Sequence, residues 1–364
     1  MRLDLPDGPY TMGPPRPYPA SPVPATSRVA YAAAHVVADP LGSGTEPDWD
    51  ATLAFRHHLW SHGLGVAEAM DTAQRGMGLG WPETRELIKR TGAAAEGRLV
   101  CGAGTDQLPP GPATLDAIIA AYEEQLAVVE EAGARPVIMA SRQLAASANG
   151  ADDYVRVYRR LLDQVSQPAI LHWLGPMFDP ALTGYWGEEP DETVLGILGE
   201  GNVAGIKVSL LDADREVELR RRLPDGVHLY TGDDFNYPGL IRGGSDALLG
   251  VFDPIAAPAA TALRALDDGD IGTYEEILAP TVPLARHLFA APTYLYKTGV
   301  VFLAWLAGHQ DAFRMVGGHE SARPVPHLVE LFRLADAAGL FPDPDLAASR
   351  MRAWLEVNTC AGSR

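Results

Sequence analysis

Eight short runs rich in β-branched and small apolar residues, each followed by a longer stretch of helical character, organise residues 28–258. The runs lie at 29–37, 65–70, 98–103, 135–140, 168–173, 203–209, 227–232 and 247–252. Candidate helices fall between them at 50–62, 82–91, 114–132, 152–164, 191–199, 215–223 and 237–243, several opening on an acidic or hydroxyl residue that can cap the first turn. Parallel strands need a long crossover, which a helix supplies, so the alternation reads as βα units around a parallel sheet. Eight such units with no third layer predict an α/β fold of the closed (β/α)8, or TIM, barrel type.

The flanks read differently. After Pro258 the pattern is helical alone, at 260–267, 273–289, 294–307, 326–337 and 344–358, which predicts a C-terminal helical extension over 259–364. Residues 1–27 hold eight prolines and no apolar core of a signal peptide, and read as a Pro-rich extended arm, loose or laid over the surface. The expected organisation is therefore an arm (1–27), a catalytic barrel (28–258) and a helical extension (259–364).

Charge and cysteine usage narrow the partners. A formal net charge of −18 repels phosphate backbones and anionic lipid surfaces, so neither nucleic acid nor membrane is expected as a partner. No run of 18 apolar residues offers a membrane span. Two cysteines, Cys101 and Cys360, are too few for a disulfide framework and fit a reducing cytoplasm.

Barrel active sites form at the C-terminal ends of the strands, and several ends here are polar. Glu68, Asp71 and Thr72 close the second run, Ser141 and Arg142 the fourth, His172 the fifth, Lys207 and Ser209 the sixth, and Asp233 and Asp234 the seventh. Lys207 stands out, being one of only three lysines, with Lys89 and Lys297, among 29 lysines and arginines. It interrupts the apolar run Val203-Ala-Gly-Ile-Lys-Val-Ser209. A buried ammonium loses several kcal/mol of solvation, so such a lysine is paired, snorkelling, or held partly neutral, and the neutral amine attacks carbonyls. Alternation puts His172 with Ile170, and Lys207 with Gly205 and Ser209, on the inner face. With neighbouring strands about 4.8 Å apart, His172 and Lys207 are expected to share one cavity. The glycines of Gly76-Met-Gly-Leu-Gly80 lack the spacing and the lysine of a phosphate loop, and the adjacent His57 and His58 cannot face one metal.

The segments Pro168-Ala-Ile-Leu-His-Trp-Leu-Gly-Pro176, Val203-Ala-Gly-Ile-Lys-Val-Ser209, Tyr230-Thr-Gly-Asp-Asp234 and Ala247-Leu-Leu-Gly-Val251, with Tyr294-Leu-Tyr-Lys297 in the tail, resemble the dihydrodipicolinate synthase and N-acetylneuraminate lyase family. The likeness runs from about residue 29 to 340 and is closest to a branch labelled only as synthase-like. It implies a homo-oligomer and a Schiff base between Lys207 and a carbonyl substrate. Three departures accompany it. His172 stands where the family has a proton-shuttling tyrosine. Asp71-Thr-Ala-Gln-Arg75 replaces the family's Gly-Thr-Thr-Gly-Glu turn, which holds a substrate carboxylate, and Gly175-Pro-Met177 stands where an arginine often follows the tyrosine motif. Pyruvate is accordingly a poor fit.

The resulting expectation is a class I lyase of the aldolase or dehydratase type, needing no cofactor and acting on a polar keto compound, sugar derivatives included. Lys207 forms the imine, His172 moves protons and Thr72 assists. Asp71, Arg75, Arg142, Asp233, Asn236 and Glu68 bind hydroxyl or acidic groups. Two alternatives stand beside it. One is a metal-dependent barrel isomerase or hydrolase with Glu68, Asp71, His172 and Asp233 around a divalent ion. The other is a family scaffold that binds a small molecule without turnover.

Overall fold

The computed structural model describes residues 1–359 apart from 43, 45 and 200, so Cys360 and the end of the expected extension lie outside the described residues. Strands β1 (Arg2–Leu5) and β2 (Gly8–Thr11) pair antiparallel across a two-residue turn, Pro6-Asp7. This corrects the expectation of an extended arm for residues 2–11, while residues 12–27 carry no helix or strand. Leu3 and Leu5 share one face of the hairpin and enter the main core with Met12, while the Tyr10 hydroxyl donates to Asp336 at 2.7 Å. The missed signal was Pro6-Asp7-Gly8, in which proline presets the first turn position and glycine admits the positive φ of 134° just after the turn.

Among the described residues, eight parallel strands close into a barrel: β3 (Ala30–Ala33), β4 (Gly65–Glu68), β5 (Leu99–Ala103), β6 (Arg135–Ile138), β7 (Ala169–Leu174), β8 (Val203–Ser209), β9 (His228–Thr231) and β10 (Asp246–Leu249), with β10 returning to β3. Each lies within one of the eight runs or overlaps it. Around them run α1 (Trp49–Ser61), α2 (Trp81–Ala93), α3 (Leu115–Glu131), α4 (Arg142–Ser147), α5 (Ala151–Leu162), α6 (Pro190–Leu198), α7 (Ala213–Arg221), α8 (Tyr237–Arg242) and α9 (Ala256–Asp267). The short α4 was not expected from periodicity. Its start is set by Ser141, whose Oγ accepts the Leu144 N–H at 3.0 Å. Helix α9 straddles position 258 and packs on the barrel as its eighth helix, with Arg264 donating to the His62 carbonyl.

The extension continues with α10 (Ile271–Leu278), α11 (Thr281–Leu288), α12 (Tyr296–Leu306), α13 (Val325–Ala337) and α14 (Pro344–Asn358). The single helix expected at 273–289 is two, because Pro280 has no N–H to continue the first. Hairpin, barrel helices and extension share one continuous hydrophobic cluster, from Leu3 to Leu355. A second cluster, including Tyr31, Val100, Val137, Ile170 and Tyr230, fills the barrel lumen below the strand ends.

Strand parity decides the fate of the first polar candidate. In β4, Val66 belongs to the outer cluster and Ala67 to the lumen, so Glu68 points outward to the helices. There it takes two hydrogen bonds from Arg56 of α1, each 2.8 Å, one from Thr91 Oγ1 at 2.7 Å and one from the Ala69 N–H at 2.8 Å. Both charged side chains are fully buried. Glu68 is thus consumed in a helix-to-strand clamp, which corrects the substrate- or metal-binding role expected of it. Removing one member of a buried pair leaves an uncompensated charge. Arg56→Met or Glu68→Leu alone should therefore cost about 3–5 kcal/mol in urea unfolding, whereas the double variant should lose much less than the sum. Additive losses would show that the pair is not coupled.

Candidate active site

The site begins with the register of two strands. β7 and β8 pair so that His172 stands opposite Lys207 and Leu174 opposite Ser209, all on the lumen side, while Leu171, Trp173, Ile206 and Val208 face the helices. Lys207 is 6% exposed. Space for its side chain comes from Gly232 after β9, where a Cβ would sit 2.9 Å from Lys207 Cε and 2.2 Å from Ser209 Oγ. Among the described residues, Lys207 Nζ makes no hydrogen bond and no ion pair.

Lys207 opens onto a closed cavity of about 10 Å³, enough for roughly one water. Its polar wall is Lys207, Asp71, Thr72, Ser209, Asp234 and Tyr296, and its apolar wall includes Leu174 and Phe178. Asp71 and Leu174 also line a larger cavity of about 190 Å³ over the loops after β4, β5, β6 and β7. Arg75, Arg142, Asp106, Gln143 and Asp179 reach that outer chamber, together with the apolar Leu108, Met139 and Leu182.

Burial lowers the proton affinity of Lys207, with the fields of Asp71 and Asp234 opposing the shift. Asp234 is itself pushed up to about 7, chiefly by burial, against the stabilising Val251 N–H and Lys207. Its Oδ1 accepts that N–H at 2.8 Å. Thr72 Oγ1 and the Tyr296 hydroxyl share a hydrogen bond of 2.8 Å, and burial raises the phenol well above its ordinary range. Phe289 stacks on the Tyr296 ring with centroids 4.4 Å apart. Asp71 Oδ2 is buried without a hydrogen-bond partner.

The sequence-selected residues divide into three groups. Lys207, Thr72 and Asp71 meet at the inner cavity, and Arg75 and Arg142 reach the outer one. The donors of Arg75 are spent on Asp106, Gln125 and the Ala69 and Gly102 carbonyls, and Arg142 pairs with Asp179 at 2.5 Å. Asp233 and Asn236 are not brought to either cavity. Asp233 Oδ1 caps the Phe235 and Asn236 N–H groups, each at 2.9 Å, its Oδ2 accepts from Asn236 Nδ2, and Asn236 Oδ1 accepts from Arg286. His172 is adjacent to Lys207 in register but fully buried and absent from the cavity wall. Its Nε2 lies 3.3 Å from Ser209 Oγ, and burial, then Lys207, depresses its proton affinity well below the imidazole range.

Three cavity residues lacked an assigned role from sequence. Ser209 and Asp234 were visible as polar strand ends. Tyr296 comes from α12, about 90 residues beyond β8, and its only signal was its place in the Tyr294-Leu-Tyr-Lys297 segment. The metal-binding set does not assemble, since Glu68 faces the helices and Asp233 caps a turn. Among the described residues, no group of three or more His, Cys, Asp or Glu side chains could hold a metal ion.

Comparison with known proteins gives a consistent picture. The family described as "Protein of unknown function (DUF993)" matches residues 7–360. The chain is 28% identical over 212 residues to the 4-hydroxy-tetrahydrodipicolinate synthase of Azoarcus sp. (strain BH72), covering 56% of this chain and 64% of that enzyme. It is 27% identical over 231 residues to the synthase of the same name from Halorhodospira halophila (strain DSM 244 / SL1), covering 63% and 71%. The match thus spans just under two thirds of the first relative. Among solved structures, dihydrodipicolinate synthase from Aquifex aeolicus superposes with a TM-score of 0.67 at 17% identity, over 86% of this chain and 99% of that one. YagE from E. coli K12, solved in complex with pyruvate, gives 0.69 at 16% identity over the same shares. At these identities the likeness establishes the fold.

The Asp234 carboxyl binds its proton more tightly folded, near pH 7, than at its ordinary value of 3.8. Its stabilising contribution is therefore fully present below about pH 4 and lost as pH rises through about 7. Asp234→Asn, which keeps an acceptor for Val251, should show a smaller fall in Tm between pH 5 and pH 8 than the wild type. Equal falls would mean that Asp234 does not titrate in this range.

Proposed function

We propose a reaction for a chain that belongs to the DUF993 family and, with it, to the dihydrodipicolinate synthase and N-acetylneuraminate lyase-like barrels: a Schiff-base-forming class I lyase of the aldolase or dehydratase type, acting on a polar keto compound. One observation carries the reading. A buried lysine amine, free of hydrogen bonds and ion pairs, faces a cavity whose other polar groups are carboxyls and hydroxyls able to move protons. A structural lysine in such a place would be paired.

The neutral Lys207 amine attacks the carbonyl carbon, forming the N–C bond while the carbonyl oxygen takes a proton. Loss of that oxygen as water leaves the iminium. Withdrawal of electrons into the iminium then lets a bond one carbon away break, to a proton or to carbon, giving the enamine. Protonation and hydrolysis return the amine. Asp234, with a proton affinity near neutrality, is suited to take and return these protons. The Thr72–Tyr296 hydroxyl pair is suited to relay them to the oxygen. His172 is reassigned: a buried neutral imidazole outside the cavity wall acts through the Ser209 hydroxyl, orienting it, rather than carrying protons itself. In the outer chamber, Arg142, engaged by Asp179 through Nε alone, offers polar contacts to the rest of the substrate.

Because burial lowers its proton affinity, Lys207 should be neutral at a lower pH than an ordinary lysine side chain, and Lys89, 46% exposed, serves as the internal control. With acetone and cyanoborohydride, the Lys207 peptide should gain the isopropyl mass at pH 7 faster than the Lys89 peptide, and its rate should level off at lower pH. Lys207→Arg should lose this label and keep that on Lys89, since guanidinium stays protonated. Labelling of Lys207 no faster than Lys89 at pH 7 would remove it as the nucleophile.

A further inference from the structure

We infer that the substrate's carbonyl carbon is bonded to a hydroxyl-bearing carbon rather than to a carboxylate, and that Asp71 makes this choice. This rests on Lys207 forming the imine. Asp71 stands in the wall of both cavities, so a substrate passing from the outer chamber to Lys207 passes its carboxylate. Asp71 Oδ2 is buried with no hydrogen-bond partner. An acceptor-only oxygen left unpaired in a dry site is costly, and a ligand O–H satisfies it. A ligand carboxylate brings no proton at neutral pH and places a second negative charge beside the first.

Among the described residues, the inner cavity wall holds no cation besides Lys207 to offset that charge. Arg75 lines the outer chamber, but its guanidinium is engaged by Asp106, Gln125 and the carbonyls of Ala69 and Gly102. Arg142 is paired with Asp179 through Nε alone and reaches the outer chamber, not the inner cavity wall. Lys297 is buried near Asp71, yet it lines neither cavity and its Nζ donates to the Tyr294 carbonyl at 3.3 Å. Lys207 is neutral when it attacks. Asp234, across the inner cavity, adds further acidic character. An anion on the carbonyl carbon would thus meet the Asp71 carboxylate before the iminium has formed to offset it, whereas an α-hydroxy ketone meets an acceptor in need of a donor.

Hydroxyacetone and pyruvate differ only in having CH₂OH or carboxylate on the carbonyl carbon, and are the probes for the test. Each is incubated with the full chain and cyanoborohydride, and the adduct on the Lys207 peptide is quantified by mass. The wild type should trap hydroxyacetone roughly tenfold or more over pyruvate at equal concentration. Asp71→Asn, which removes the charge and supplies an N–H donor, should bring the two probes within about threefold of each other. Trapping of pyruvate by the wild type as well as or better than hydroxyacetone would overturn the inference while leaving the Lys207 imine standing. No adduct at Lys207 from either probe, in wild type or variant, would overturn the Schiff-base reading and the inference with it. The wild-type comparison decides the matter even where the variant fails to fold.

Discussion

A residue on a strand of a closed barrel has two destinations, the lumen or the helix layer, and both are dry. Every polar group on these strands must therefore find a partner or be given a task. In the helix layer partners are found. Glu68 is held by Arg56, Thr91 and a backbone amide, and Glu216 of α7, pushed up to about 7 mainly by burial, accepts from Thr231 Oγ1 and Ser245 Oγ. At the lumen's upper end the pattern reverses. Among the described residues Lys207 Nζ makes no hydrogen bond or ion pair, and Asp71 Oδ2 is buried without a hydrogen-bond partner. The contrast within one barrel separates structural polar residues from the candidate site more sharply than residue type does.

The same dryness sets the chemistry. Removing water disfavours charge, so the amine shifts toward neutrality and the Asp234 carboxyl toward protonation. Both shifts favour the uncharged forms, an amine that can attack and a carboxyl that can donate. His172 shows the limit of the effect. Buried fully and next to a lysine, its ring is held well below the ordinary imidazole range, and its Nε2 lies 3.3 Å from Ser209 Oγ.

The helical tail completes the cavity as well as the core. Tyr296, at the start of α12, brings a phenol to Thr72 from far along the chain, and Phe178 and Phe289 pack around its ring. A hydroxyl beside the inner cavity thus comes from the extension, where the likeness to known barrels had suggested a group from the strand that carries His172. Barrel and extension share one hydrophobic cluster, so the tail is held in place by the same burial that holds the barrel together.

Much of this was legible in the chain itself. Short apolar and β-branched runs separated by helical stretches located all eight strands, because strands buried on both faces read as near-continuous apolar segments, and strand parity put His172 and Lys207 on one inner face, although His172 does not reach the cavity they were expected to share. The lysine in an apolar run announced itself by the cost of burying it. What sequence could not decide was whether a polar strand-end residue meets the cavity or a neighbour. Glu68 found Arg56 across a helix-to-strand gap, Asp233 turned back to cap its own loop, and Arg75 spent its donors on carbonyls and Asp106. Nor could local pattern foresee that residue 296 would touch residue 72. Those outcomes depend on distances between elements remote in sequence, which come into being only when the barrel closes and its tail packs against it.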